Sequence, residues 1–164
     1  MEKEISIKKV RNDAERLFKD GKFYCSEAIV SSIKSNFAID MPDEMIAMAS
    51  GFPVGIGKSK CVCGAVAGGI LSLGYFFGRT EEGDEKVQKT LALAHELQQS
   101  FKESHSHLCC KILTRGMDME AGEHKEQCIA FTGEIAEKVA AIVVREMCLE
   151  NIDKKAGEKN GQPA

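Results

Sequence analysis

The sequence lacks both an excess of basic residues and an apolar run long enough to cross a bilayer. It has 22 lysines and arginines against 25 acidic residues, a net charge of -3, so electrostatics give no reason to expect nucleic acid or an anionic membrane as a partner. The longest apolar stretch, residues 61–77, is interrupted by glycines and a serine and is typical of a core helix. Acidic residues from Glu2 onward leave no secretory signal, from which we expect a cytoplasmic location.

Internal repeats, a proline- or serine-rich linker and the period-two alternation of half-buried strands are also missing. With 164 residues the chain is long enough for one domain with its own core. We therefore predict a single all-α domain, a bundle of five or six helices over residues 1–152. Residues 153–164 are too polar to bury apolar surface, which predicts a disordered tail.

The positions of the helices follow from apolar side chains at helical spacing and from turn residues. A first amphipathic helix contains Val10 and Phe18 and ends at Gly21. The other predicted segments are Ser26 to Phe37, a short helix starting at Pro42, a helix from about Cys63 to Tyr75, a long helix ending near Ser104, a turn from Cys110 to Leu113, and a last helix with Ile135, Val139 and Met147 on one face.

Gly57-Lys58-Ser59 resembles the end of a phosphate-binding loop, but the pattern is incomplete. The first glycine of G-x-x-x-x-G-K-[ST] would fall at Phe52, and the preceding segment has the pattern of a helix where such a loop follows a strand. We therefore expect no nucleotide site. Residues 51–58 are predicted to be a loop that leads to Cys61 and Cys63.

The 7 cysteines are the most informative residues. In an intracellular chain structural disulfides are unusual, and an odd number cannot all pair. The remaining roles are metal ligation, redox chemistry and burial as small apolar side chains. Cys63 precedes a predicted helix, where unpaired N–H groups and the helix dipole favour a thiolate, and Lys58 and Lys60 act in the same direction. Cys25 has a similar place before the second helix.

The segment after Cys63, GAVAGGILSLG, leaves almost no side chain on one surface of its helix. A neighbouring helix could approach that surface closely, which would bring Cys63 into the interior near other helix ends. The glycines could equally serve close packing alone.

The other cysteines have less distinctive surroundings. Cys148 follows the apolar face of the last helix and is predicted to be a core residue. Cys128 has His124 four residues before it, a metal-ligand spacing if that segment is helical. Cys61 and Cys109 have no clear role from the sequence.

Four cysteine segments taken together resemble a family of redox-active proteins named for a C_GCAxxG_C_C pattern: YCSEA at Cys25, CGAVAGG at Cys63, CCKIL at Cys110 and EQCIA at Cys128. The resemblance covers roughly residues 22–141, and CGAVAGG is its most specific part. It implies redox activity and a site made of these four cysteines.

The sequence departs from the family pattern at two points. Tyr24 stands before the first cysteine where the family has a smaller polar residue, and Cys61 and Cys109 add sulfurs beside two of the expected positions. Cys109 could therefore take the place of Cys110. The haem-attachment motif Cys-x-x-Cys-His is absent, so no c-type haem is expected.

Two functions for the site remain open from the sequence. In the first, Cys63 is a nucleophile of low pKa, a second cysteine resolves the mixed disulfide, and electrons pass to an unidentified redox partner protein. In the second, the thiolates of Cys25, Cys63, Cys110 and Cys128 ligate an iron–sulfur cluster or zinc. A structural or partner-binding protein with buried cysteines is a third hypothesis. A homodimer is compatible with the apolar faces of the long helices, although no residue requires one.

Overall fold

The computed structural model describes residues 2–154, and helices account for most of this range. The helices are α1 (Ile7–Lys19), α2 (Cys25–Phe37), α3 (Glu44–Ala49), α4 (Gly64–Phe77), α5 (Lys86–His105), α6 (Cys110–Leu113) and α7 (Lys125–Glu146). Two strands of two residues each, β1 (Glu4–Ile5) and β2 (Glu150–Asn151), pair beside the bundle.

The prediction of a helical fold is confirmed, whereas the number of helices in the described range is seven and not five or six. The difference comes from short elements. α3 has 6 residues and is predicted as a short helix, whereas α6 has 4 residues, too few to show helical periodicity, and is predicted only as a turn. No helix within residues 2–154 combines the length and the apolar character needed to cross a bilayer.

The core lies between helices that are adjacent in space rather than in sequence. α1 packs along α7, α2 packs against α1, α4 and α7, and α4 also contacts α5. The largest fully buried side chains include Phe37 of α2, Leu73 of α4 and Phe101 of α5. Burying side chains of this size is the main favourable contribution to the folding free energy.

The glycine-rich surface of α4 allows close helix packing, as the sequence predicts. A Cβ atom at Gly68 would lie 2.6 Å from the Cα of Ser26 on α2. A Cβ at Gly69 would lie 2.6 Å from a methyl group of Ile135 on α7. Because both distances are shorter than real Cβ contacts, a larger residue at either position would push α4 away from its neighbours.

The two strands hold the ends of the described chain together. They are parallel, with Glu4 opposite Glu150 and Ile5 opposite Asn151. Just beyond them the hydroxyl of Ser6 donates to Asp153 Oδ1 at 2.7 Å, and the N–H of Lys8 donates to Asp153 Oδ2 at 2.9 Å. Asp153, which the sequence analysis assigns to the tail, therefore contacts the start of α1. Residues 155–164 of the predicted tail lie outside the described residues.

Candidate functional site

The first turns of four helices meet at one end of the bundle, and each carries a cysteine. Cys25 is the first residue of α2, and Cys63 is the residue immediately before α4. Cys110 is the first residue of α6, and Cys128 lies in the first turn of α7. Helix starts present unpaired N–H groups, so all four sulfurs lie near the positive ends of helix dipoles.

A cavity of about 540 Å³ is lined by all four of these residues. Phe18, Pro53 and Phe131 contribute apolar walls, and His124 contributes an imidazole. The structure thus brings together Cys25, Cys63, Cys110 and Cys128, which are separated by up to about a hundred residues in the chain. We call this set the cavity cysteines.

Gly64 is the residue that lets two of these helix starts approach. A Cβ atom at this position would lie 2.8 Å from the Sγ of Cys25 and 2.7 Å from the carbonyl oxygen of Phe52. The N–H of Cys63 donates to the carbonyl of Leu108 at 2.8 Å, which joins the start of α4 to the segment before α6. The glycine of Cys-Gly-Ala therefore has a steric role, because the absence of a side chain at Gly64 gives Cys25 its place beside Cys63.

Burial and mutual repulsion keep the cavity thiols protonated at neutral pH. Burial raises the pKa of Cys25 well above the ordinary value, and the nearby sulfurs of Cys63, Cys128 and Cys110 raise it further. Burial, followed by the charges of Cys63 and Cys110, raises the pKa of Cys128 to about 12. Burial and then Cys63 raise the pKa of Cys110. Cys25, Cys110 and Cys128 all respond to the charge of Cys63, so a thiolate at Cys63 disfavours a thiolate at the other three positions.

The prediction that Cys63 is a thiol of low pKa is wrong. Its side chain is 7% exposed, and burial raises its pKa. The N–H groups of Val66 and Ala65 act in the opposite direction, although neither makes a capping hydrogen bond of good geometry to Sγ, and their effect is smaller than that of burial. The helix-start argument identified a real contribution to the pKa but not the largest one.

Cys109 and Cys110 are the two candidates for the third cysteine of the family pattern, and they lie in different surroundings. Cys110 is buried and lines the cavity. Cys109 is half-buried outside it, where its Sγ donates to the carbonyl of Lys60 at 3.4 Å. The side chains of Cys61 and Cys109 interact with each other, a pairing that the sequence did not reveal. Their status as additions to the family pattern was the one signal that could have directed attention to them.

Cys148 is exposed, so its predicted place in the core is wrong. α7 ends at Glu146, and Cys148 has a positive φ of 53° in the turn that follows. Helical spacing does not continue into that turn, and the side chain therefore does not follow the apolar face of α7.

His124 is a further component of the cavity wall. It is the residue before α7, and its carbonyl accepts from the N–H of Cys128 at 3.0 Å, so the segment is helical as the ligand-spacing hypothesis required. Its Nδ1 is buried without a hydrogen-bond partner among the described residues. A buried polar atom without a partner is unusual in a folded protein, which draws attention to His124 as a component of the site.

The metal-binding alternative does not match a preassembled ligand set. Within residues 2–154, no three or more His, Cys, Asp or Glu side chains are grouped so as to hold one metal ion. The cavity cysteines line a common space without being grouped in this way.

A helical bundle whose helix starts carry four cysteines into one cavity defines a class of small cysteine-cluster proteins. The family described as "Putative redox-active protein (C_GCAxxG_C_C)" matches residues 23–142, most of the chain, and the chain belongs to this family. This confirms the family membership predicted from the cysteine segments. No curated protein and no solved structure matches the chain significantly.

Proposed function

We propose that the cavity cysteines form a two-electron thiol redox centre, which is reduced as free thiols and oxidised as an intramolecular disulfide. The observation that supports this most directly is the shared cavity lined by Cys25, Cys63, Cys110 and Cys128, in a chain that belongs to a redox-active family. A reducing compartment such as the cytoplasm suits a protein whose resting thiols are protonated, and we infer that location.

The electrostatics of the cavity favour disulfide chemistry over a permanent thiolate. A resting thiolate would be a buried negative charge beside three other sulfurs, and such a charge is costly without a partner. A pair of protonated thiols and a disulfide are both uncharged. Oxidation of two cavity thiols therefore changes their covalent state without leaving a charge in the apolar interior.

Cys63 and Cys25 are the proposed reacting pair. The N–H groups of Val66 and Ala65 act on the Cys63 sulfur and stabilise the thiolate while it forms. The Sγ of Cys25 lies against Gly64, the residue next to Cys63, and the charge of Cys63 is the largest electrostatic influence from any other group on Cys25. Cys110 and Cys128 complete the cavity and are the alternative resolving thiols.

The exchange reaction uses the disulfide of a partner molecule as the oxidant. Cys63 Sγ loses its proton, a transfer that we assign to the imidazole of His124 in the same cavity wall, and attacks one partner sulfur. The partner S–S bond breaks, and the second partner sulfur leaves and takes up a proton. Cys25 Sγ then loses its proton and attacks Cys63 Sγ, and the first partner sulfur leaves as a thiol. Two cavity thiols have lost two electrons and two protons, and the partner disulfide has gained both.

The test uses a variant in which only the cavity cysteines remain, Cys61→Ser/Cys109→Ser/Cys148→Ser. This variant is equilibrated in buffers with increasing ratios of oxidised to reduced glutathione and quenched with acid. The free thiols are then alkylated and counted by mass spectrometry of the intact protein. We expect the number of free thiols to fall from four to two in one step, with the loss of two hydrogens and no glutathione adduct. Replacing Cys63 with serine in this background should abolish that step, and replacing Cys25 shows whether Cys110 or Cys128 can resolve in its place.

Two results would reject the proposal. One is a count of four free thiols in every buffer. The other is protein that, when purified without oxygen, contains stoichiometric zinc, or is brown with iron and acid-labile sulfide, because the cysteines would then be ligands. Circular dichroism spectra of all variants establish that the serine substitutions leave the helices intact.

A further inference from the structure

A second pair of cysteines lies outside the cavity, where the loop before α4 meets the segment before α6. The N–H of Lys111 donates to the carbonyl of Lys60 at 2.8 Å, and the Sγ of Cys109 donates to the same carbonyl at 3.4 Å. These bonds hold Cys109 against the carbonyl of the residue before Cys61, and the two thiols influence each other's pKa. Cys61 is exposed and Cys109 is half-buried, so reagents in solution can reach this pair.

A basic cleft adjoins the pair. It has a volume of about 520 Å³, and its lining includes Lys60, His107, Lys111 and Arg115. Lys60 precedes Cys61 in the chain, and Lys111 follows Cys109 by two residues. Among the ion pairs of residues 2–154, none involves Lys60, Lys111 or Arg115. Several cations without carboxylate partners around one concavity attract an anionic ligand.

We propose that Cys61 and Cys109 are a solvent-facing dithiol that exchanges with a low-molecular-weight disulfide carrying carboxylates, which the basic cleft holds. Such a disulfide offers a sulfur to the cysteines and negative charge to Lys60, Lys111 and Arg115. This proposal does not depend on redox chemistry in the cavity, because the two pairs are tested in separate variants.

Cys109 is the attacking thiol. The N–H of Ile112 lowers its pKa most, and the Cys61 thiol and Lys111 also lower it, whereas the interaction with Cys109 raises the pKa of Cys61. Cys109 Sγ, as a thiolate, attacks one sulfur of the small disulfide, and one thiolate leaves and takes up a proton. Cys61 Sγ then loses its proton and attacks Cys109 Sγ, which releases the second small thiol. One disulfide bond forms and one breaks, so electrons and protons balance.

The identity of the pair is tested by mapping the disulfide. Trypsin cleaves after Lys60, Arg79, Lys102 and Lys111, so Cys61 shares a peptide with Cys63, and Cys109 shares one with Cys110. The variant Cys63→Ser/Cys110→Ser removes this ambiguity. After treatment with oxidised glutathione at pH 6.5, we expect the peptides 61–79 and 103–111 to be joined. The single variants Cys61→Ser and Cys109→Ser, made in the native sequence, provide a second measurement if the double variant does not fold.

The role of the basic cleft is tested by substrate charge. We expect native protein to react faster with anionic glutathione disulfide than with neutral hydroxyethyl disulfide, and slowest with cationic cystamine. Arg115→Gln should lower the glutathione-to-hydroxyethyl rate ratio about two- to fivefold, the range for exposed charges. Taking a ratio cancels any change in the reactivity of Cys109 itself. Added salt should reduce the same ratio.

The outcomes separate the parts of the proposal. Cys109→Ser should block the reaction at pH 6.5, and Cys148→Ser, which removes the other exposed cysteine, should leave its rate unchanged. Equal rates with the three small disulfides would overturn the assignment of the basic cleft. If peptides 61–79 and 103–111 do not join in a folded variant, the proposed dithiol is overturned. If the protein reacts faster with a protein disulfide than with glutathione disulfide, the proposed substrate class is overturned.

Discussion

The close approach of α4 to α2 predicts that one added methyl group will destabilise the protein. In Gly68→Ala the new Cβ would lie 2.6 Å from the Cα of Ser26 and 2.8 Å from its carbonyl oxygen. These are backbone atoms at the start of α2, so they cannot move aside as the end of a flexible side chain can. The helix must shift as a whole, and Cys25 would shift with it.

The magnitude follows from two opposing contributions. Overpacking a close-packed interior costs about 1–3 kcal/mol, and replacing glycine by alanine inside a helix gains about 0.5–1 kcal/mol. We expect Gly68→Ala to lose about 1–2 kcal/mol net, which corresponds to a fall in Tm of about 2–8 °C for a domain of this size.

The matched control is Gly74→Ala in the same helix. No atom of another element lies within 4 Å of a Cβ at Gly74, so only the gain in helix propensity applies. This variant should be more stable by about 0.5–1 kcal/mol. Urea unfolding followed by circular dichroism measures both changes. Equal stabilisation by the two substitutions would refute the argument that glycine at 68 is required for contact with α2.

Three further predictions concern individual side chains. Burial raises the pKa of Asp153, but hydrogen bonds from Lys8 and Ser6 outweigh burial and hold the pKa below 3.8. Asp153→Ala should therefore lower the free energy of unfolding by about 1 kcal/mol at pH 7. The loss should become smaller as the pH falls through the pKa of the folded state. In the variant that retains only the cavity cysteines, the alkylation rate should rise about tenfold per pH unit from pH 7 to 9, because burial raises the pKa of all four thiols. A rate that reaches a plateau below pH 8 would contradict this prediction. Cys148 should react with a neutral maleimide in the folded protein, and protection there would contradict its exposed position.

The helices were predictable because each long one has a repeating apolar face. Val10 and Ala14 of α1, and Val139 and Val143 of α7, are fully buried at the spacing that the sequence shows. The parallel strands were not predictable, since two residues cannot establish a period. Cys148 was misplaced because the periodicity of α7 was extended past the residue at which the helix ends.

The membership of the cavity could be predicted and its electrostatics could not. The order and neighbours of Cys25, Cys63, Cys110 and Cys128 identify the family, and the small residues after Cys63 explain how α4 and α2 can approach. The pKa of Cys63 depends on burial by residues distant in the chain, which outweighs the local effect of the helix start. Cys61 and Cys109 are brought together by hydrogen bonds from Cys109 and Lys111 to the carbonyl of Lys60, and contacts of this kind have no sequence pattern.

A disulfide map of the oxidised cavity tests the central claim most directly. In the variant that retains only Cys25, Cys63, Cys110 and Cys128, trypsin places each cysteine in its own peptide, so every pairing is distinguishable by mass. We predict that mild oxidation joins the peptide of Cys25 to that of Cys63 within one chain, and that dithiothreitol reverses it. Disulfides found only between separate chains, or no disulfide at all in the folded protein, would contradict a common redox cavity.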